Sequence, residues 1–137
     1  MNKPRVLIID DDEVSSKFVR AKLEEREYQI DLASSVYEAF SCLETAFPDL
    51  ILVDIGLPHG DGYRICRKVR EWSEIPIIMV SENNNEVDEI KCLDMGADDF
   101  IIRPFSMDIL ASRVKAVLRR VEKKKFISEY YLVSSHN

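Results

Sequence analysis

Four apolar runs in this chain end on groups that can do chemistry. Val6-Leu7-Ile8-Ile9 runs into Asp10-Asp11-Asp12-Glu13, and Leu50-Ile51-Leu52-Val53 runs into Asp54. Ile77-Ile78-Met79-Val80 ends on Ser81, and Phe100-Ile101-Ile102 ends on Arg103-Pro104. An unbroken apolar run bounded by turn signals suits a strand covered on both faces, as in a parallel sheet. Parallel strands share one carboxyl edge, where open α/β sheets place their ligands. Asp10, Asp11, Asp54, Ser81 and Arg103 are therefore expected together. Neighbouring carboxylates raise one another's pKa and do not all stay ionised without a cation. A hard divalent ion answers that need. Mg²⁺ takes one or two carboxylates and fills its octahedron with waters and phosphate oxygens. The hydroxyl and the guanidinium complete a pocket suited to a phosphoryl group. No GxGxxG or Walker loop is present, so nucleotide binding is not indicated.

The elements that must hold these groups alternate along the chain. After the acidic cluster a helix is expected to about Arg26, with Val14, Phe18 and Ala21 at helical spacing. Gln29 to Ala33 reads as an edge-ward strand. Ser34-Ser35 offers an N-cap for a helix through about Thr45, with Ala39 and Leu43 facing in. Pro58, Gly60 and Gly62 form the turn after Asp54, and Tyr63 to about Trp72 is a helix with Cys66 and Val69 on one face. Glu82-Asn83-Asn84-Asn85 is a loop. Glu86 to Met95 is a helix stopped by Gly96. Ser106 caps a last helix whose stripe is Leu110, Val114, Val117, Leu118 and Val121. Strand and helix in strict alternation give a doubly wound parallel sheet with helices on both faces. Past Val121, Glu122-Lys123-Lys124-Lys125 is a solvated charge run, and Phe126 to Val133 is apolar without a clear period. A linker stub, a terminal strand and a helix extension all remain open for this tail.

Size and composition bound the rest. At 137 residues and 46% apolar content the chain is one globular domain. A net charge of −6 argues against nucleic-acid binding by this segment alone. No apolar run approaches the ~20 residues of a membrane span. Met1-Asn2-Lys3-Pro4-Arg5 leads straight into a predicted strand rather than a secretory leader, so the cytoplasm is expected. Cys42, Cys66 and Cys92 lack metal-site spacing and read as buried reduced thiols. Neither His59 nor His136 has a nearby Cys or His partner.

From about Pro4 to Arg120 the chain resembles a response-regulator receiver domain of the CheY-like, flavodoxin-like fold. The motifs are Ile-Ile-Asp10-Asp11-Asp12, Asp54 with Leu57-Pro58 and Asp61-Gly62, Ser81, and Gly96-Ala97-Asp98-Asp99-Phe100-Ile-Ile-Arg103-Pro104-Phe105. The resemblance implies a (βα)5 sheet in strand order 2-1-3-4-5. It implies that Asp54 accepts a phosphoryl group from a sensor histidine kinase. Mg²⁺ would be held by Asp10, Asp11, Asp54 and the backbone carbonyl of Gly56. Ser81 would bind the phosphoryl group, Phe100 would turn inward behind it, and the Arg103–Pro104 bond would be cis. Such a module is no enzyme beyond its own phosphorylation and dephosphorylation. The stretch from Glu86 to Arg120 is most similar to the OmpR/PhoB-like subfamily, whose receivers precede a winged-helix DNA-binding domain. That subfamily pairs as homodimers through the fourth helix, fifth strand and fifth helix. Lys91, Asp94, Asp98, Asp99, Arg113 and Arg119 fit that face, whereas Glu89 and Ile109 do not match the usual charges. The implied organisation is a receiver over 1–121 and a tail or linker stub over 122–137, open to continuation into an output domain that would carry transcription regulation.

Three positions depart from the family pattern. Arg103 replaces a lysine, and the swap is not conservative, because Arg is planar and prone to bidentate pairing. Glu82 replaces a small residue and puts a carboxylate where it would hinder access to Asp54. Gly56 replaces a larger residue and loosens the loop. These departures support an alternative: a receiver not switched by phosphorylation, acting as a constitutive dimerisation module. Asp10-x-Asp12-x-Val14 also fits a haloacid-dehalogenase-like phosphatase, with Asp10 as nucleophile and Asp12 as general acid. That reading leaves Leu57-Pro58 and Asp61-Gly62 unexplained.

Overall fold

The computed structural model describes residues 3–82 and 84–135, the last five by backbone alone. In chain order the elements are β1 (Arg5–Ile9), α1 (Glu13–Glu24), β2 (Gln29–Ala33), α2 (Val36–Thr45), β3 (Leu50–Asp54), a 3-10 turn (Pro58–Gly60), α3 (Asp61–Arg70), β4 (Ile77–Ser81), α4 (Glu86–Asp94), β5 (Asp99–Ile102) and α5 (Met107–Ser135). The strands form one parallel sheet in the order β2-β1-β3-β4-β5. The expected doubly wound α/β fold is the one observed.

Side chains alternate across a strand, so each apolar run feeds two cores. Leu7, Ile9, Ile51, Val53, Ile77 and Met79 face α2, α3 and α4, where Ala39, Leu43, Ile65, Cys66, Val69 and Cys92 are buried. Val6, Ile8, Leu50, Leu52, Ile78 and Val80 face α1 and α5, meeting Val19, Leu23, Leu110, Val114 and Val117. Every residue of β3 and β4 is buried. Local signals set the helix starts. Asp12 accepts from the Val14 and Ser15 N–H groups, Ser35 from Glu38, Asn85 from Val87 and Ser106 from Ile109. Gly96, at φ +103°, closes α4. Cys66 and Cys92 are buried and Cys42 half-buried, all as free thiols.

One expectation needs revision, and one open choice is resolved. The inward face of α1 is Ser16, Val19 and Leu23 rather than Val14, Phe18 and Ala21. Val14 is 81% and Phe18 55% exposed. The helical period holds but its phase is turned, because the core takes the stripe carrying Leu23. Ser16 fits there, its hydroxyl satisfied by the Glu13 carbonyl at 3.2 Å. The tail is the helix extension among the three open choices: α5 passes Val121 unbroken and reaches Ser135. Lys and Glu are good helix formers, so a charge run prolongs a helix that packing has started.

Gly62 is where the fold comes closest to the site. A Cβ there would stand 2.5 Å from the Asp54 carbonyl oxygen and 2.9 Å from the Ile55 Cα, both backbone atoms. The missing side chain lets α3 begin directly against the end of β3. Gly62→Ala is expected to cost about 2 kcal/mol in urea unfolding, the usual scale of overpacking. Gly60→Ala meets nothing within 4 Å but sits at φ +70°, so it should lose only about 1 kcal/mol of left-handed strain. A Gly62→Ala protein as stable as Gly60→Ala would show that the close approach is not a constraint.

Candidate functional site

The carboxyl edge of the sheet brings together the groups expected there. Asp10 follows β1, its N–H donating to the Ala33 carbonyl of β2 at 3.0 Å. Its Oδ1 accepts the Asp12 N–H at 3.0 Å. Asp54 ends β3, and its Oδ1 accepts the Gly56 N–H at 2.7 Å. Both carboxylates are buried, while Asp11 is exposed between them and solvent. Ser81, fully buried, ends β4. Its carbonyl accepts the Arg103 N–H at 2.8 Å, which seats the residue after β5 beside the pocket. The Arg103–Pro104 bond is cis.

The Arg103 guanidinium spans the two buried acids. Nη2 lies 2.9 Å from Asp10 Oδ2, and Nη1 lies 3.2 Å from Asp54 Oδ2. Glu82 Oε1 is a further 3.9 Å from Nη1. The Glu82 side chain is 76% exposed, so it stands at the mouth of the pocket and does not cover Asp54. Burial pushes the Asp10 carboxyl above its ordinary range and the charge of Asp54 adds to the rise, while the Asp12 N–H and Arg103 oppose it. Asp10, Asp11 and Asp54 each offer an oxygen within 4.8 Å of the others, which fits a hard divalent cation. Asp12 is committed to capping α1, which leaves it poorly placed as a general acid.

A cleft of about 460 Å³ opens above these groups, and Tyr63 and Asp88 form its far wall. The Tyr63 hydroxyl donates to Asp88 Oδ1 at 3.3 Å, and the Lys91 ammonium lies 4.1 Å from the ring centroid. Burial, with Cys92 and Asp88 nearby, pushes the Tyr63 phenol upward. Sequence reasoning passed over both wall residues. The available signal was position: each lies in the first turn of a helix that leaves the carboxyl edge. Phe100 is already buried behind the pocket, beside Met79 in register.

Three of the charged residues expected on the dimer face, Asp98, Asp99 and Arg113, are engaged within the chain. Asp98 accepts from Arg70 Nη2 at 3.0 Å and from the Ile77 N–H at 2.8 Å. Asp99 pairs with Arg113 at 3.2 Å. Asp94 and Arg119 are exposed, as are Val87 and Ile90 on α4 and Ile109 on α5.

Comparison with known proteins agrees with this geometry. Residues 6–115 match the family described as "Response regulator receiver domain". A probable transcriptional regulator, ycf27, from Guillardia theta is 38% identical over 126 residues, covering 92% of this chain and 50% of that protein. The KDP operon transcriptional regulatory protein KdpE of Escherichia coli is 38% identical over 115 residues, covering 84% and 51%. The chain thus spans about half the length of the curated relatives it matches. A two-component response regulator from Clostridium difficile superposes with a TM-score of 0.82 at 35% identity, covering 87% of this chain and 98% of that one.

The raised Asp10 carboxyl has a consequence for stability. With its folded pKa above the unfolded value, the native state binds more protons, so its contribution falls as pH rises through that window. Asp10→Asn should therefore melt higher than wild type near neutral pH in EDTA. The gap should close as pH drops into the carboxylate range. A lower melting temperature for Asp10→Asn at neutral pH would mean that the Arg103 pair outweighs the cost of burial.

Proposed function

The chain belongs to the response regulator receiver family, and from that premise we propose that it is a phosphoacceptor module, charged at Asp54 by a sensor histidine kinase. One observation carries the reading: the Asp54 carboxylate stands at the end of β3, on the floor of an open cleft, between a hydroxyl-bearing strand end and a cation. An Asp54 oxygen attacks the phosphorus of the kinase's phosphohistidine. The O–P bond forms as the P–N bond breaks, and the departing ring nitrogen keeps the bonding pair and takes a proton from solvent. Asp10, Asp11, Asp54 and the Gly56 carbonyl would hold Mg²⁺, which when bound offsets the charge of the carboxylates and of the transferred group. Ser81 donates its hydroxyl to a phosphoryl oxygen. Arg103 counters the new charge once it leaves its resting partners. Phe100, buried behind Ser81, is the aromatic group able to report the change.

The exposed Val14 and Phe18 give α1 an apolar flank beside the pocket, suited to a helix of the kinase. Exposed Val87, Ile90 and Ile109 supply the apolar part of a homodimer face on α4, β5 and α5. Lys91, Asp94 and Arg119 supply its charges, while Asp98, Asp99 and Arg113 reach it only by exchanging present partners. The receiver occupies 1–121, and 122–137 leads toward a winged-helix output domain that would bind DNA. Among the described residues no helix is long and apolar enough to cross a membrane. A cytoplasmic setting follows from the proposed kinase and DNA partners. The Arg103 pairing favours a second reading, a constitutive dimerisation module that phosphorylation does not switch.

Incubation with acetyl phosphate or phosphoramidate in Mg²⁺, followed by intact mass, separates the two. Wild type should gain one phosphoryl group slowly, and Asp54→Asn none. A wild-type protein that stays unmodified and is already dimeric by size-exclusion chromatography would establish the second reading.

A further inference from the structure

Each buried carboxylate has given one oxygen to the backbone. Asp10 Oδ1 takes the Asp12 N–H at 3.0 Å, and Asp54 Oδ1 takes the Gly56 N–H at 2.7 Å. The remaining oxygens, Asp10 Oδ2 and Asp54 Oδ2, are both held by Arg103. The two carboxylate oxygens that carry no backbone hydrogen bond are thus the two that the guanidinium occupies. A lysine ammonium is a point charge and cannot present two fixed parallel donors to both acids. Gly56 is part of the arrangement, because a Cβ there would stand 3.1 Å from Asp54 Oδ1 and crowd the oxygen that turns to the backbone. Glu82 lies 3.9 Å from the same Nη1 on an exposed side chain. A guanidinium that rolls toward Glu82 keeps its charge partnered and frees both Oδ2 atoms at once.

We propose that Arg103 is a built-in competitor for the divalent cation, and that Glu82 is the seat it takes when the cation binds. The inference rests on the metal-binding reading above. Clamped and metal-bound forms exclude each other, since two cations would share the same pair of oxygens. The apparent metal affinity then falls by the fraction of protein that is unclamped. By linkage, Mg²⁺ must weaken the hold of Arg103 on Asp10 and Asp54 by the same factor. The three residues that depart from the family pattern act in one device: Gly56 turns Asp54, Arg103 locks it, and Glu82 receives the lock.

The test is Mg²⁺ affinity, measured by calorimetry and by amide chemical shifts on the whole chain, with no phosphodonor present. Arg103→Gln should bind Mg²⁺ about tenfold tighter than wild type, the scale of a removed competing state. Arg103→Lys, with the same charge, should still bind about threefold tighter, because it cannot straddle both acids. Glu82→Gln should weaken wild-type binding about threefold and lose most of that effect in the Arg103→Gln background, the signature of coupled residues. Metal-free melts give an independent check: Arg103→Gln should melt lower than wild type without Mg²⁺ and gain more from its addition. Equal weakening by Glu82→Gln in both backgrounds would mean a plain electrostatic field and would overturn the proposal, as would Arg103→Lys binding no tighter than wild type. Absence of binding in every variant up to tens of millimolar, the range of such hydrated sites, would instead remove the metal reading itself and this inference with it.

Discussion

Two carboxylates buried side by side must share a counter-charge, and the carboxyl edge of this sheet is built around that constraint. Asp10 and Asp54 are 5% and 8% exposed, too little for water to stabilise both anions. Each therefore takes one backbone N–H and one arm of Arg103. Removing the shared guanidinium would leave both buried carboxylates without a counter-charge, which is far more costly than the net contribution of the pair. The surroundings must then hold the acids and the guanidinium in register whenever no other cation is present.

The sheet does this with ordinary means. Parallel pairing brings the ends of β1, β3, β4 and β5 to one level, and the Arg103 N–H to Ser81 carbonyl bond carries that level one residue beyond β5. Gly62 lets α3 start against the Asp54 carbonyl, which fixes the backbone on the far side of the same residue. Tyr63 follows directly and joins Asp88 across the cleft. Packing on both faces of β3 thus serves the chemistry at its end, since a rigid strand holds a terminal side chain better than a loop does.

Much of this was legible in the sequence. Runs such as Leu50-Ile51-Leu52-Val53 admit few readings, and each ended on a polar residue, so the fold and the convergence of Asp10, Asp11, Asp54, Ser81 and Arg103 could be inferred together. Three features were not legible. The phase of α1 depends on which stripe the sheet accepts, and Val14 with Phe18 forms as good a helical stripe as Val19 with Leu23. The length of α5 depends on helix propagation through Lys123, Lys124 and Lys125, where no core contact marks the path. The partners of Arg103 depend on side-chain geometry: its type announced bidentate pairing, but only the fold shows that the two acceptors are different acids.

The identity of the cation that rests between the acids decides what kind of module a receiver is. A mobile ammonium leaves the carboxylates partly uncompensated, so a solution ion can enter by filling an electrostatic deficit. A guanidinium that already satisfies both acids removes the deficit, and entry becomes an exchange of one cation for another. Exchange needs a destination for the displaced charge, or its desolvated state would add to the barrier. Glu82, exposed and within 4 Å of the same nitrogen, is that destination. Replacing the family lysine by arginine without a nearby acid would give a locked pocket, while the two changes together allow one that opens. Arg103 and Glu82 are therefore best understood as a single substitution, made at the ends of two neighbouring strands that hydrogen bond directly to each other.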